Sequence, residues 1–129
     1  MKCLIYAFIL IVSACTGTHP TVLPEKNDLK VATANHKYQY IIKINGGAVN
    51  ESSVSVNITP NDSGLVLNPE EVKNDFGGED GMNKNYHRII ISGIPKKLGD
   101  YSVTVSGFTL GTMHSGKDFY KEYTIKIKE

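Results

Sequence analysis

Gly111-Thr112-Met113-His114-Ser115-Gly116-Lys117-Asp118 comes within one residue of a phosphate-binding loop, in which glycine-rich backbone and a lysine hold phosphate and a Ser or Thr hydroxyl holds Mg²⁺. Asp118 stands where that hydroxyl belongs, and its carboxylate would repel phosphate. The flanking pattern is strand, loop, strand, with no helix N-terminus to aim amides at an anion. The segment therefore reads as a connection between two strands. A second polar stretch, Glu70 to Asn85, gathers Asp75, Glu79, Asp80, Asn83 and Asn85 among Gly77, Gly78 and Gly81, oxygen donors of the kind a hard cation takes. It lacks the Asp-x-Asp-x-Asp-Gly spacing closed by a bidentate Glu, so it reads as a solvated hairpin or loop. His19, His36, His87 and His114 are too scattered for a sequence-level metal motif, and zinc would need three of them plus a carboxylate to converge in space. Ser63, Ser92 and Ser115 lack the strand-to-helix elbow of a hydrolase nucleophile. Glu70-Glu71 and Glu79-Asp80 are neighbouring carboxylates in polar surroundings, not an acid and a base held in different environments. These patterns predict no catalysis, no metal and no cofactor.

The chemistry the chain does advertise is at its start. Lys2 supplies a positive charge, Leu4 to Val12 a short apolar run, and Ser13-Ala14 small residues before Cys15. The run is too short for a bilayer, which takes roughly 20 apolar residues in a helix. Val12-Ser13-Ala14-Cys15 resembles the lipobox of bacterial lipoproteins. That resemblance implies removal of residues 1–14 and acylation, palmitate included, of Cys15 as the new N-terminus. Several acyl chains at about 0.8 kcal/mol per buried CH₂ make such an anchor effectively permanent. Thr16 stands where an Asp keeps many such proteins at the inner membrane, so the expected location is the outer membrane of a two-membrane host.

Cleavage before Cys15 would leave residues 15–129, enough for one core and too few for two. Cys3 would leave with the signal and Cys15 would carry lipid, so no disulfide is expected. The chain has 14 Lys+Arg against 13 Asp+Glu, a balance that gives no electrostatic case for nucleic acid. Residues 15–36, rich in Thr, Pro, Asn, Asp and Lys, read as a lipidated cysteine and flexible tether, reaching roughly 25 Å from the lipid surface.

From Lys37 the pattern changes to period-two alternation. Tyr38, Tyr40, Ile42 and Ile44 share one strand face before an Asn45-Gly46-Gly47 turn, and Val54, Val56 and Ile58 share the next. Leu65-Val66-Leu67 predicts a short strand ended by Asn68-Pro69, with one helical turn available over residues 69–74. Tyr86 to Ser92, Tyr101 to Ser106 and Tyr120 to Lys128 complete the set, with Lys121, Lys126 and Lys128 on the solvent face. Six or seven short strands separated by turns predict an all-β antiparallel sandwich over 37–129, with a small closed barrel as the alternative.

Three short segments in order, Gly64-Leu65-Val66-Leu67-Asn68-Pro69, Ile91-Ser92-Gly93-Ile94-Pro95 and Gly99-Asp100-Tyr101-Ser102-Val103-Thr104-Val105, resemble the signatures of immunoglobulin-like domains of bacterial surface proteins. The resemblance covers about residues 37–128, with an insertion over roughly 70–88. It implies an immunoglobulin-like sandwich of about seven strands that displays binding surfaces and has no catalytic residues. Tyr101 would place its hydroxyl against backbone as a tyrosine corner. The expected role is a noncatalytic envelope lipoprotein that binds another envelope component, a protein, through loops at one end or through an exposed strand edge, the candidate loop carrying Asp75, Phe76, Glu79, Asp80 and Asn83. An inhibitor or immunity-type lipoprotein that blocks an incoming lytic enzyme or toxin is the alternative. A glycan ligand is disfavoured because the chain has no Trp for a stacking platform. Phe108, Met113 and Phe119 could form an apolar contact patch.

Overall fold

Alternating apolar residues build strands because successive side chains point to opposite faces, and eight strands result among the described residues. The computed structural model describes residues 19–73, 82–111 and 116–129. Its strands are β1 (Thr21–Leu23), β2 (Ala32–Thr33), β3 (Tyr38–Asn45), β4 (Ser55–Thr59), β5 (Leu65–Lys73), β6 (Met82–Gly93), β7 (Gly99–Phe108) and β8 (Asp118–Lys128). They form two four-stranded sheets, β1-β3-β6-β5 and β2-β8-β7-β4. With β1 and β2 sharing the first position, these are the ABED and GFC sheets of the immunoglobulin sandwich. Pairing is antiparallel except between β2 and β8. The expected all-β immunoglobulin-like sandwich is the fold observed.

The core lies between the inner faces. Ile42, Ile44, Ile89 and Ile91 of the first sheet meet Val103, Val105, Tyr123 and Ile125 of the second, all fully buried. Each such side chain contributes roughly 1.5–3 kcal/mol by leaving water. Tyr38 is buried and Tyr40 half-buried on the face the alternation predicts. Val54, Val56 and Ile58 are half-buried against the same core, although β4 starts one residue after Val54, behind a 3-10 turn at Glu51–Ser53 capped by the Asn50 side chain.

The immunoglobulin-like signatures have a physical basis here. Leu65 is opposite Gly93 in the β5–β6 register. A Cβ on Gly93 would stand 2.2 Å from the Gly64 carbonyl oxygen, and one on Gly64 2.2 Å from that of Ile94. Only glycine allows backbones this close, and both residues also take positive φ. The Ile94 amide donates to the Gly64 carbonyl at 3.1 Å, closing the corner. The Tyr101 hydroxyl donates to the Lys97 carbonyl at 2.7 Å and accepts from the Lys97 amide at 3.2 Å, a tyrosine corner at the start of β7.

Three expectations differ from what is observed. The tether expected over 15–36 is largely part of the sandwich. β1 pairs with β3, β2 with β8, and Val22, Leu29 and Ala32 are buried in the core. These apolar residues are spaced too irregularly to show a period, yet sheet edges at both layers accept them singly. The strand expected to stop at Leu67 runs to Lys73, so the turn at Asn68-Pro69 and the helical turn after it are replaced by strand. β5 is an edge strand, where the amide that Pro69 lacks is not needed for pairing. Finally, Phe119 is buried while Phe108 is exposed, so these two do not share a surface patch; Met113 lies outside the described residues.

The two ends of the sandwich differ. At one, called the Asn45 end, β1 begins opposite Asn45, β7 finishes at Phe108 and β8 begins at Asp118. The opposite end carries Gly64, Gly93, Leu98 and Gly99.

Candidate functional site

The β5–β6 hairpin outgrows the sandwich at the Asn45 end. β3 pairs with β6 only from Gly93 back to Arg88, so among the described residues Met82 to Asn85 are paired on one side only, to Lys73 through Glu70. These four rows make a two-stranded arm about 13 Å long at 3.3 Å per residue. Among its described side chains, Glu71, Val72, Lys73, Asn83 and Lys84 are exposed.

A large bulge sets the arm's direction. In the register Pro69 is opposite Ile89 and Glu70 opposite Asn85, so Tyr86, His87 and Arg88 are extra on β6. Polar contacts stitch this offset in place. The His87 Nδ1 donates to the Ile44 carbonyl at 2.8 Å, which fixes the tautomer because a carbonyl only accepts, and the His87 amide donates to Asn85 Oδ1 at 3.0 Å. The Asn85 amide donates to Glu70 Oε2 at 3.4 Å. Arg88 Nε lies 3.1 Å from the same oxygen but is not aligned for a hydrogen bond, so that contact is a Coulombic one. Tyr86 packs inward on the core. Bulges of this kind re-aim a strand, and this one offsets the arm from the sheet.

Of the residues expected to form a binding loop, Asn83 is on the arm, exposed and opposite Val72. Asp75, Phe76, Glu79 and Asp80 lie outside the described residues, as do Cys15 and the signal segment. The stretch from 70 to 85 is strand at both its margins, as a hairpin requires. Glu70, Asn85, His87 and Arg88 were not legible as a unit, because a bulge brings together residues whose spacing follows no period.

The near phosphate loop is a β7–β8 connection. Thr109 donates its amide to the Lys117 carbonyl at 2.9 Å, and its hydroxyl accepts from the Lys117 amide at 3.3 Å. Thr112 to Ser115 lie outside the described residues. Among the described residues no group of three or more His, Cys, Asp or Glu is placed to hold a metal ion.

Two buried phenols hold the N-terminal segment. The Tyr38 hydroxyl donates to the Lys30 carbonyl at 2.9 Å and that of Tyr123 to the Pro24 carbonyl at 2.7 Å. Burial pushes both up to about 12, with Tyr40 adding to the effect. Such phenols are structural protons, not general acids. At the far end the exposed Lys97–Asp62 ion pair lowers the Asp62 carboxyl and raises the Lys97 ammonium, chiefly through their mutual hydrogen bond. Two concavities of about 580 and 460 Å³ meet at Ser92 on the outer face of the first sheet. Lys30, Lys37 and Gln39 line one, and Asn68, Glu71 and Lys84 the other, with Glu71 opposite Lys84 in the β5–β6 register.

No protein-family model matches the chain, and no curated protein matches it in sequence. Among solved structures, a mutant of the SrpA adhesin from Streptococcus sanguinis is similar at a TM-score of 0.51 and 14% identity. The match covers 86% of this chain and 58% of the adhesin chain. At that identity the likeness is one of fold.

Proposed function

We propose that this protein is a noncatalytic envelope lipoprotein, anchored through Cys15, whose immunoglobulin-like domain binds a protein component of the same envelope through the β5–β6 arm. The observation that carries this reading is the arm. An isolated two-stranded ribbon is marginal in water, and this one extends past the core on a bulge stitched by Glu70, Asn85, His87 and Arg88. A projecting element held at a set angle is suited to recognition. The fold it shares with a bacterial surface adhesin supports the same class.

The partner is expected in or on the membrane that holds the anchor, because the arm and the chain leading back to Cys15 share the Asn45 end. In-cell crosslinking of the full-length protein tests this. Asn-Gly in place of residues 71–84 closes the hairpin directly on the Glu70–Asn85 pair, since a two-residue turn fits opposed positions. A saturable protein crosslink lost in that variant supports the reading. A crosslink that survives removal of the arm overturns it.

A further inference from the structure

We propose that the domain leans on the bilayer with the β7–β8 side of the Asn45 end, Leu110, Phe108 and Tyr120 seated in the membrane interface and the polar β5–β6 arm, at the edge of the other sheet, held clear of the acyl chains. This rests on the reading of Cys15 as the lipidated residue. The point where the described chain begins decides the orientation. His19 and Pro20 pack on the β3–β4 turn, so closely that a Cβ on Gly46 would lie 2.7 Å from the His19 carbonyl oxygen. From Pro20 the chain runs into β1, opposite Asn45. Only Thr16, Gly17 and Thr18 separate Cys15 from His19, a span of at most about 14 Å fully extended.

That length is short against the domain itself. Strands such as β7, ten residues long, span about 33 Å. Exposed apolar residues occur at both ends, with Leu98 and Leu110 each 54% exposed. The tether cannot run the length of the sandwich, so the anchor holds the Asn45 end, not the Leu98 end, at the lipid.

Leu110 is fixed there by its amide, which donates to the Ala48 carbonyl at 2.7 Å. Phe108 is 39% and Tyr120 66% exposed. The Ser106–Tyr120 and Phe108–Asp118 pairs lie two rows apart in the β7–β8 ladder, next to each other on one face, which makes Phe108 and Tyr120 diagonal neighbours on the outer face. Tyr120, an apolar ring with a polar hydroxyl, suits the boundary between headgroups and acyl chains, and Phe108 and Leu110 add exposed apolar surface beside it. Acyl chains on Cys15 would supply the affinity, and these side chains the seating.

The chain has no Trp, so Leu110→Trp and Leu98→Trp each create a single fluorescent reporter at matched exposure, with Tyr120→Trp as a second at the Asn45 end. The acylated full-length variants are placed in phosphatidylcholine vesicles with brominated acyl chains, and the lipid on Cys15 is read by intact mass. The expected result is loss of most emission from the Leu110→Trp and Tyr120→Trp proteins and none from Leu98→Trp. Equal quenching at the two ends, or none at either, with lipid present on Cys15 overturns the orientation and leaves the lipoprotein reading standing. Protein that carries no lipid on Cys15 overturns both.

Discussion

The Tyr123 hydroxyl donates a 2.7 Å hydrogen bond to the Pro24 carbonyl, joining the middle of the last strand to the segment that follows the first. Around it the Thr124 amide donates to the Asn27 carbonyl, the Leu29 amide donates to the Thr124 carbonyl, and the Lys121 ammonium donates to the Glu25 backbone carbonyl. The crossing from the first sheet to the second is therefore sewn along β8. Tyr123→Phe keeps the ring and removes the donor, leaving the Pro24 carbonyl without it. The expected loss is about 1–3 kcal/mol, read as a lower midpoint in urea with an unchanged slope. A midpoint equal to the parent's would show that the crossing is held by its backbone bonds alone.

Alkaline pH should act through the same phenols. Tyr38 and Tyr123 titrate near 10 in the unfolded chain and are pushed up to about 12 when folded, first by burial and then by Tyr40. The native state then holds protons that the unfolded state releases, so stability falls as pH rises. The contribution is whole below pH 10 and lost between 10 and about 12. Urea midpoints should be flat from pH 7 to 9 and drop across that window, and less so in a Tyr38→Phe, Tyr123→Phe double variant measured against its own neutral value. An equal drop in the double variant would assign the transition to other groups.

Two glycines separate the strain of positive φ from the strain of close approach. Gly93 and Gly99 have φ of +137° and +126°. A Cβ at Gly93 meets the Gly64 carbonyl at 2.2 Å, whereas one at Gly99 meets nothing within 4 Å. Gly99→Ala should cost about 1–3 kcal/mol of backbone strain. Gly93→Ala pays that and must also part β5 from β6, so it should be the more damaging by a wide margin in thermal melts. Equal costs would mean that the corner relaxes freely.

How much of this was legible follows from which constraints are local. Alternation at Tyr38 to Ile44 and at Tyr101 to Val105 marked core faces because one side of each strand is buried along its length. The glycine and tyrosine corners were legible because each needs one particular residue type. Val22, Leu29 and Ala32 were not, since three apolar residues at irregular spacing resemble a linker until an edge strand exists to receive them. Pro69 misled for a related reason. A proline stops a central strand, but β5 is an edge, and edge position is a property of the assembled sheet. The bulge at Tyr86 to Arg88 likewise appears only when β6 must serve β3 and β5 at once.

Removing the arm should leave the fold nearly as stable as before. Val72 is 45% exposed, and none of the described side chains from Glu71 to Lys73 or at Asn83 and Lys84 is buried. The lost cross-strand pairs are each worth about 0.2–1 kcal/mol. Replacing residues 71–84 by Asn-Gly shortens the span between the last paired residues from eight residues, 74–81, to two, which returns roughly 1.2 kcal/mol of closure entropy. These terms offset one another, so the thermal midpoint should move by only a few degrees in either direction. A large fall would make the arm part of the folding unit, and a binding defect in the same variant would then report unfolding instead of a lost contact surface. A small shift with binding abolished places recognition on the arm, because the stitched bulge and everything beneath it remain.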